Sequence, residues 1–297
     1  MALISVAELA AELDVPARAA RLRIADTRWY LLRPGDGRRA YEAGHLPGAA
    51  FVDLDTDLSA PDGPGRHPLP EPAAFAARMA ALGIGGGHRV VAYDDAGGGV
   101  AARLWWMLDA LGHGEVDVLD GGLGAWTAAG LPLTTAAPSW PPASLHLASP
   151  WPRTIDRERL AAGLGRLCLL DGRSDERYRG EVEPIDPVAG HIPTAVSAPT
   201  GDNLGPDGRF LPAEALRARF VSLGAAESAG ASPRVVVSCG SGTNACQLAL
   251  AMRVAGLPDP LLYPGSFSDW SRAGLPVAIG PDPGGLPSGD PGERYSR

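Results

Sequence analysis

Read against itself, the chain repeats. Asp26-Thr-Arg28 returns as Asp171-Gly-Arg173 at an offset of 145, and Gly44-His-Leu-Pro47 returns as Gly190-His-Ile-Pro193 at 146. Gly121, Trp126 and Gly130-Leu-Pro132 return as Gly265, Trp270 and Gly274-Leu-Pro276 at 144. An offset this constant marks a doubled unit, and a period this long means two whole domains rather than a solenoid. The length of 297 residues suits two domains of about 150, each large enough to bury its own core.

Within each copy, short β-branched runs such as Val90-Val-Ala-Tyr93 and Val116-Asp-Val-Leu119 alternate with longer amphipathic stretches such as 72–82 and 100–111. Strands alternating with helices predict an α/β fold, with two tandem domains that are each a mainly parallel sheet covered by helices on both faces. Prolines at 138, 141, 142, 150 and 152 predict a semi-rigid linker. The expected division is a first domain over 1–135, the linker over 136–153, a second domain over 154–280, and a Gly/Pro/Asp-rich tail over 281–297 expected to be disordered.

A formal charge of −8 and an isoelectric point near 5.3 argue against a nucleic-acid partner, which would need clustered Lys and Arg. No apolar run reaches the length of about 18 needed for a membrane span, and the start lacks the basic, apolar pattern of a signal peptide. A cytoplasmic protein without a membrane partner is expected. The three cysteines, 168, 239 and 246, match no metal-binding spacing and are expected as thiols. Neither a metal nor another cofactor is implied.

The two copies differ most sharply after one strand. Arg89-Val-Val-Ala-Tyr-Asp94 corresponds to Arg234-Val-Val-Val-Ser-Cys239, so only the second copy carries a cysteine there. In an open parallel sheet, ligands bind beyond the carboxyl ends of the strands. The small residues Gly240-Ser-Gly-Thr-Asn244 can wrap their N–H groups around the sulfur, and the following run 245–252 has helix-forming composition. Such a nest at a helix start favours an anion and should lower the thiol pKa. Cys239 is therefore the candidate nucleophile, against the alternative of an inert buried thiol. Cys246 and Cys168 are assigned to the core. A cysteine phosphatase would place an arginine six positions on, where this chain has Ala245, and no Lys or Arg occurs from 239 to 252.

With these residues in view, the chain resembles the tandem rhodanese-fold sulfurtransferases, which include thiosulfate and 3-mercaptopyruvate sulfurtransferases, over residues 1–280. The resemblance rests on the Gly-His-Leu/Ile-Pro stretches, Arg103-Leu-Trp-Trp106, Asp120-Gly-Gly122, Arg177-Tyr-Arg-Gly180, Tyr263-Pro-Gly-Ser266 with Trp270, and the cysteine loop. It implies a silent first copy with Asp94 in place of the nucleophile. It also implies a second copy that carries sulfur as a Cys239 persulfide from a small-molecule donor to a thiol, a thioredoxin-like protein or cyanide. Gly240, Gly242, Thr243 and Asn244 become donor-binding loop residues, and Arg177 the donor anchor. Ser241 resembles the loop serine of the mercaptopyruvate branch, where a serine, a histidine and an aspartate relay a proton. His67 and Asp55 match the other two members.

Two departures bear on the donor. The mercaptopyruvate branch has a second arginine shortly before the second Gly-His-Ile-Pro, whereas 181–190 holds no cation; the thiosulfate branch has a cationic loop, whereas this loop is neutral. The neutral loop favours mercaptopyruvate, with thiosulfate as the alternative. A non-catalytic module that carries persulfide is the reading from a different class. Arg173, His45 and His191 have counterparts in both copies and are expected to be structural. The glycines at 83–87 and 97–99 lack the strand, Gly-x-Gly-x-x-Gly, helix order of a dinucleotide site and are expected to be turns, while Trp105 and Trp106 are expected in the core.

Overall fold

The computed structural model describes residues 2–225 and 234–286. They form two compact units. The first takes in residues up to Pro61, Leu69–Pro152 and Leu204–Phe210, and the second takes in Asp62–Pro68, Arg153–Asn203 and the chain from Leu211 on. Two short segments thus belong to the unit other than the one their place in the sequence suggests, and one of them, Asp62–Pro68, contains His67.

The first unit is built on a five-stranded sheet: β1 (Leu3–Ile4), β2 (Leu22–Asp26), β3 (Ala49–Phe51), β4 (Arg89–Tyr93) and β5 (Val116–Leu119), in the order β1-β5-β4-β2-β3. Every pairing is parallel. The strands are buried along almost their whole length, as in a parallel sheet covered on both faces. The helices Pro72–Ala81 and Gly99–Ala110 occupy the amphipathic stretches read from the sequence. Pro72 opens the first of them, where its missing N–H costs nothing. Gly99–Ala110 is buried around most of its circumference, with Trp105 and Trp106 each 2% exposed.

The second unit contains β6 (Leu167–Asp171), β7 (Val196–Ser197), β8 (Arg234–Ser238) and β9 (Leu261–Leu262), all parallel, in the order β7-β6-β8-β9. Read from the other edge, β9-β8-β6-β7 reproduces β5-β4-β2-β3, and a single parallel bridge between Thr154 and Leu262 stands where β1 stands in the first unit.

The repeated residues do the same work twice. Arg28 grips Asp26 at 2.6 Å and donates to the Gly44 carbonyl at 2.8 Å. Arg173 grips Asp171 at 2.8 Å and donates to the Gly190 carbonyl at 2.7 Å. Each buried pair ties a strand end to the Gly-His turn, and losing one partner of such a pair costs about 3–5 kcal/mol. His45 and His191 stack on Tyr41 and Tyr178, with ring centroids 3.9 and 3.8 Å apart. Burial pushes the His191 pKa down, while the Tyr178 and Asp282 carbonyls facing its two ring nitrogens oppose that shift. Trp126 and Trp270 donate to the carbonyls of Pro132 and Pro276 at 2.9 and 2.8 Å.

The proline-rich stretch is packed on the first unit as far as Pro152: Ala143 donates to the Ala80 carbonyl at 2.9 Å and Trp151 to the Pro70 carbonyl at 2.6 Å. In the expected tail, residues 281–286 are placed. The Pro283 carbonyl accepts from the Thr194 N–H at 2.6 Å, and the Asp282 carbonyl lies 3.1 Å from His191 Nε2. The rest of that tail, 287–297, lies outside the described residues. Among the described residues no helix is long and apolar enough to cross a membrane.

Candidate active site

Strand β8 ends at Ser238, and Cys239, 3% exposed, begins the loop that leads into the helix Ala245–Val254. Three hydrogen bonds tie the start of this loop to the first residues of the helix Ser266–Arg272. The Cys239 N–H donates to Ser266 Oγ at 3.1 Å, the Phe267 N–H to the Cys239 carbonyl at 3.0 Å, and the Ser268 N–H to the Gly240 carbonyl at 2.9 Å. Gly242 adopts φ +79°, and a Cβ there would meet the Pro264 carbonyl oxygen at 2.3 Å, so both conformation and space require glycine.

Ser266 escaped the sequence reading. It is fully buried, adopts φ +53°, and its hydroxyl donates to the Tyr263 carbonyl at 2.9 Å while accepting from the Cys239 N–H. A left-handed non-glycine residue costs about 1–2 kcal/mol. The corresponding residue of the first unit, Gly122, adopts the same φ of +53° without that cost. A serine where the other copy has glycine was the available signal.

The segment Asp62–Pro68 carries two side chains to the loop. Gly65, at φ +81°, presses against the Gly265 carbonyl, which a Cβ would approach to 2.5 Å, and the Arg66 N–H donates to Ser268 Oγ at 3.1 Å. His67, buried, then places Nδ1 2.8 Å from Ser241 Oγ and 3.5 Å from Thr243 Oγ1. Ser241, Thr243 and His67 are thus brought together beside Cys239. Asp55 belongs to the first unit, where its carboxylate accepts from Trp29 Nε1 at 3.0 Å. Asn244 is exposed, and its side chain makes no capping bond at the start of the helix Ala245–Val254.

Arg177, on the short helix Asp175–Arg179, pairs with Glu183 at 2.8 Å and reaches Asp186 at 3.4 Å. Arg66 pairs with the other oxygen of Asp186. Arg173 reaches Glu183 at 3.4 Å and lies 3.9 Å from the Phe267 ring centroid. Burial works to discharge Arg173, but Asp171, Glu183 and the nearby Cys239 hold its pKa above the usual arginine value. The result is an alternating row, Asp171, Arg173, Glu183, Arg177, Asp186, Arg66, whose formal charges cancel. Sequence reading singled out Arg177 and missed Arg66, because the contact joins positions 120 residues apart.

The other two thiols sit differently. Burial raises the Cys168 pKa to about 11, and its Sγ donates to the Leu223 carbonyl at 3.5 Å. Cys246 is buried, with Sγ 3.4 Å from the Gly242 carbonyl.

The rhodanese-like domain family matches residues 5–129 and 156–273. A Pseudomonas aeruginosa protein named "Probable 3-mercaptopyruvate sulfurtransferase" is 47% identical over 285 residues, covering 94% of this chain and 98% of that one. A Mycobacterium tuberculosis protein named "Putative thiosulfate sulfurtransferase SseB" is 42% identical over 276 residues, covering 91% and 93%. Among solved structures, the 3-mercaptopyruvate sulfurtransferase from Leishmania major superposes with a TM-score of 0.78 at 31% identity, covering 92% of this chain and 74% of that one. The doubled parallel sheets, the loop at Cys239 and these likenesses together make the chain an enzyme of sulfur transfer, a member of the tandem rhodanese-fold sulfurtransferase family.

Proposed function

We propose that the chain moves sulfur from 3-mercaptopyruvate onto Cys239 and from there to a thiol, a thioredoxin-like protein or cyanide. The Cys239 thiolate attacks the donor sulfur, and the electrons of the breaking C–S bond pass to the methylene carbon as pyruvate enolate. A proton reaching that carbon through Ser241 and His67 completes pyruvate, while the sulfur stays on Cys239 as a persulfide. The acceptor then attacks the outer sulfur and the Cys239 thiolate leaves. Asp55 stands as third member of the relay on family resemblance alone. Loop N–H groups from Gly240 to Asn244 and the Arg177 guanidinium are assigned to donor binding, and a reducing compartment such as the cytoplasm suits a thiol in this role.

The observation that carries this reading is the 2.8 Å contact between Ser241 Oγ and His67 Nδ1 beside the buried cysteine. A carbon leaving group needs a proton, whereas sulfite leaving from thiosulfate needs none, so a hydroxyl–imidazole pair has work to do only with the carbon donor. The balanced row of three arginines and three carboxylates also suits a monoanion better than dianionic thiosulfate. The test is kcat/KM for thiocyanate formation with each donor. Mercaptopyruvate is expected to be preferred, and Ser241→Ala is expected to lower kcat with it about 100-fold while changing the thiosulfate rate less than about threefold. Preference for thiosulfate with equal losses for both donors would favour the alternative donor. Loading of Cys239 without turnover would favour a persulfide-carrying module.

A further inference from the structure

The mercaptopyruvate branch uses a second arginine that this chain lacks before Gly190, yet Gly240 has two guanidiniums against it. A Cβ placed on Gly240 would lie 2.8 Å from Arg66 Nη2 and 3.4 Å from Arg177 Nη1. Each arginine spends its other terminal nitrogen on a buried carboxylate: Arg66 Nη1 on Asp186, and Arg177 Nη2 on Glu183 and Asp186. Two cations are thus held from behind and turn their remaining nitrogens to the residue next to the nucleophile. Arg66 Nε is buried with no hydrogen-bond partner among the described residues, and a buried donor in that state is relieved by an incoming acceptor. Asp186, whose side chain is 0% exposed, bridges the two guanidiniums and fixes their spacing.

We propose that Arg66 is the second cation of the donor site, forming with Arg177 a two-guanidinium clamp over Gly240 that binds the donor's anionic end, with Asp186 as its positioning residue. The clamp deepens the donor reading given above and rests on it for the substrate. One terminal nitrogen from each of two guanidiniums, aimed at one spot, suits a carboxylate, whose two oxygens can each accept from one of them. A side chain at 240 would enter the space that the two guanidiniums face and push them aside.

The clamp can be tested apart from turnover by alkylating Cys239 with iodoacetate and with iodoacetamide, two reagents of nearly equal size of which only the first carries a carboxylate. Modification at Cys239 is followed by peptide mass. Arg66→Met, which keeps the aliphatic stem, is expected to slow iodoacetate roughly 10- to 100-fold, the range for a lost charged hydrogen bond, and to leave iodoacetamide within about threefold. Arg66→Lys, which restores the charge but not the planar guanidinium, is expected to recover part of the iodoacetate rate. KM for mercaptopyruvate should rise with Arg66→Met in parallel, with kcat much less affected. Equal slowing of both reagents, or no change in either, would overturn the clamp. A selective loss with iodoacetate in an enzyme that does not use mercaptopyruvate would uphold the clamp and overturn the donor reading instead.

Discussion

The two units build the same turn after equivalent strands and place different residues in it. In the first, the Asp94 carboxylate fills the nest after β4: the Ala96 and Gly98 N–H groups donate to one oxygen at 2.9 and 2.8 Å, and those of Val100 and Ala101 to the other at 3.1 Å each. In the second, the same turn after β8 holds Cys239, and Gly97 and Gly242 share φ values of +80° and +79° at corresponding places. The first copy thus carries a carboxylate where the second copy carries a thiol. Conserving the nest while exchanging its occupant separates what the fold requires from what the chemistry requires.

Exchanging the occupants is the most severe way to break this comparison. Cys239→Ser is expected to abolish sulfur transfer, at least about 1000-fold in kcat/KM, with the melting temperature nearly unchanged because the oxygen is smaller than the sulfur it replaces. Cys239→Asp should be equally inactive, and its carboxylate should be held by loop amides as Asp94 is. Circular-dichroism melts and thiocyanate formation measure both; an active serine variant would remove Cys239 from the mechanism. The next largest effect falls on stability alone. Asp94→Ala leaves four N–H groups, of which those of Val100 and Ala101 are buried, without their acceptor and is expected to cost about 3 kcal/mol, seen in chemical denaturation of the first unit. The Cys239 persulfide should still form in the folded variant. Burial raises the Asp94 pKa while its backbone donors oppose that rise, so these donors are what keep a buried carboxylate tolerable.

Much of the fold was legible because it is written twice. The strands and helices, the Asp-Arg pairs and the histidine turns all follow from short-range pattern, and each appears in two copies that check one another. The site was legible as far as residues close in sequence reach: Cys239, Ser241 and Thr243 lie in one loop, and His67 joined them only through family resemblance. Arg66 stayed hidden because it meets Asp186 and Gly240 across large sequence separations, and neighbouring residues carry no trace of such a contact.

The nearly constant offset also concealed an exchange of loop lengths. Tyr41 lies 13 positions after Arg28 and His45 lies 4 after Tyr41, whereas Tyr178 lies 5 positions after Arg173 and His191 lies 13 after Tyr178. The two changes nearly cancel in the offset. In the second unit the lengthened stretch brings in Glu183 and Asp186, the carboxylates that hold Arg177 and Arg66. The equivalent turn of the first unit is too short to carry them. A subtraction that counts residues sees agreement where the molecule has moved chain from one side of a helix to the other.

The subtlest difference between the units is Ser266 against Gly122, and converting one into the other sharpens the comparison most finely. Ser266→Gly removes the left-handed strain, worth about 1 kcal/mol, and with it the hydroxyl that receives the Cys239 N–H. The lost bond involves neutral partners and is worth about 1 kcal/mol, so the two contributions nearly offset and the melting temperature should move by only a few degrees. Catalysis should register what stability does not: with the start of the loop released, kcat is expected to fall about 5- to 10-fold, an effect near 1 kcal/mol, while KM stays close to its original value because the arginines are untouched. Ser266→Ala separates the contributions, since it keeps the strain and loses the bond, and should be less stable than Ser266→Gly while showing a similar fall in kcat. If both variants kept full kcat, the hydroxyl at 266 would serve packing alone, and the strain at that position would need another cause.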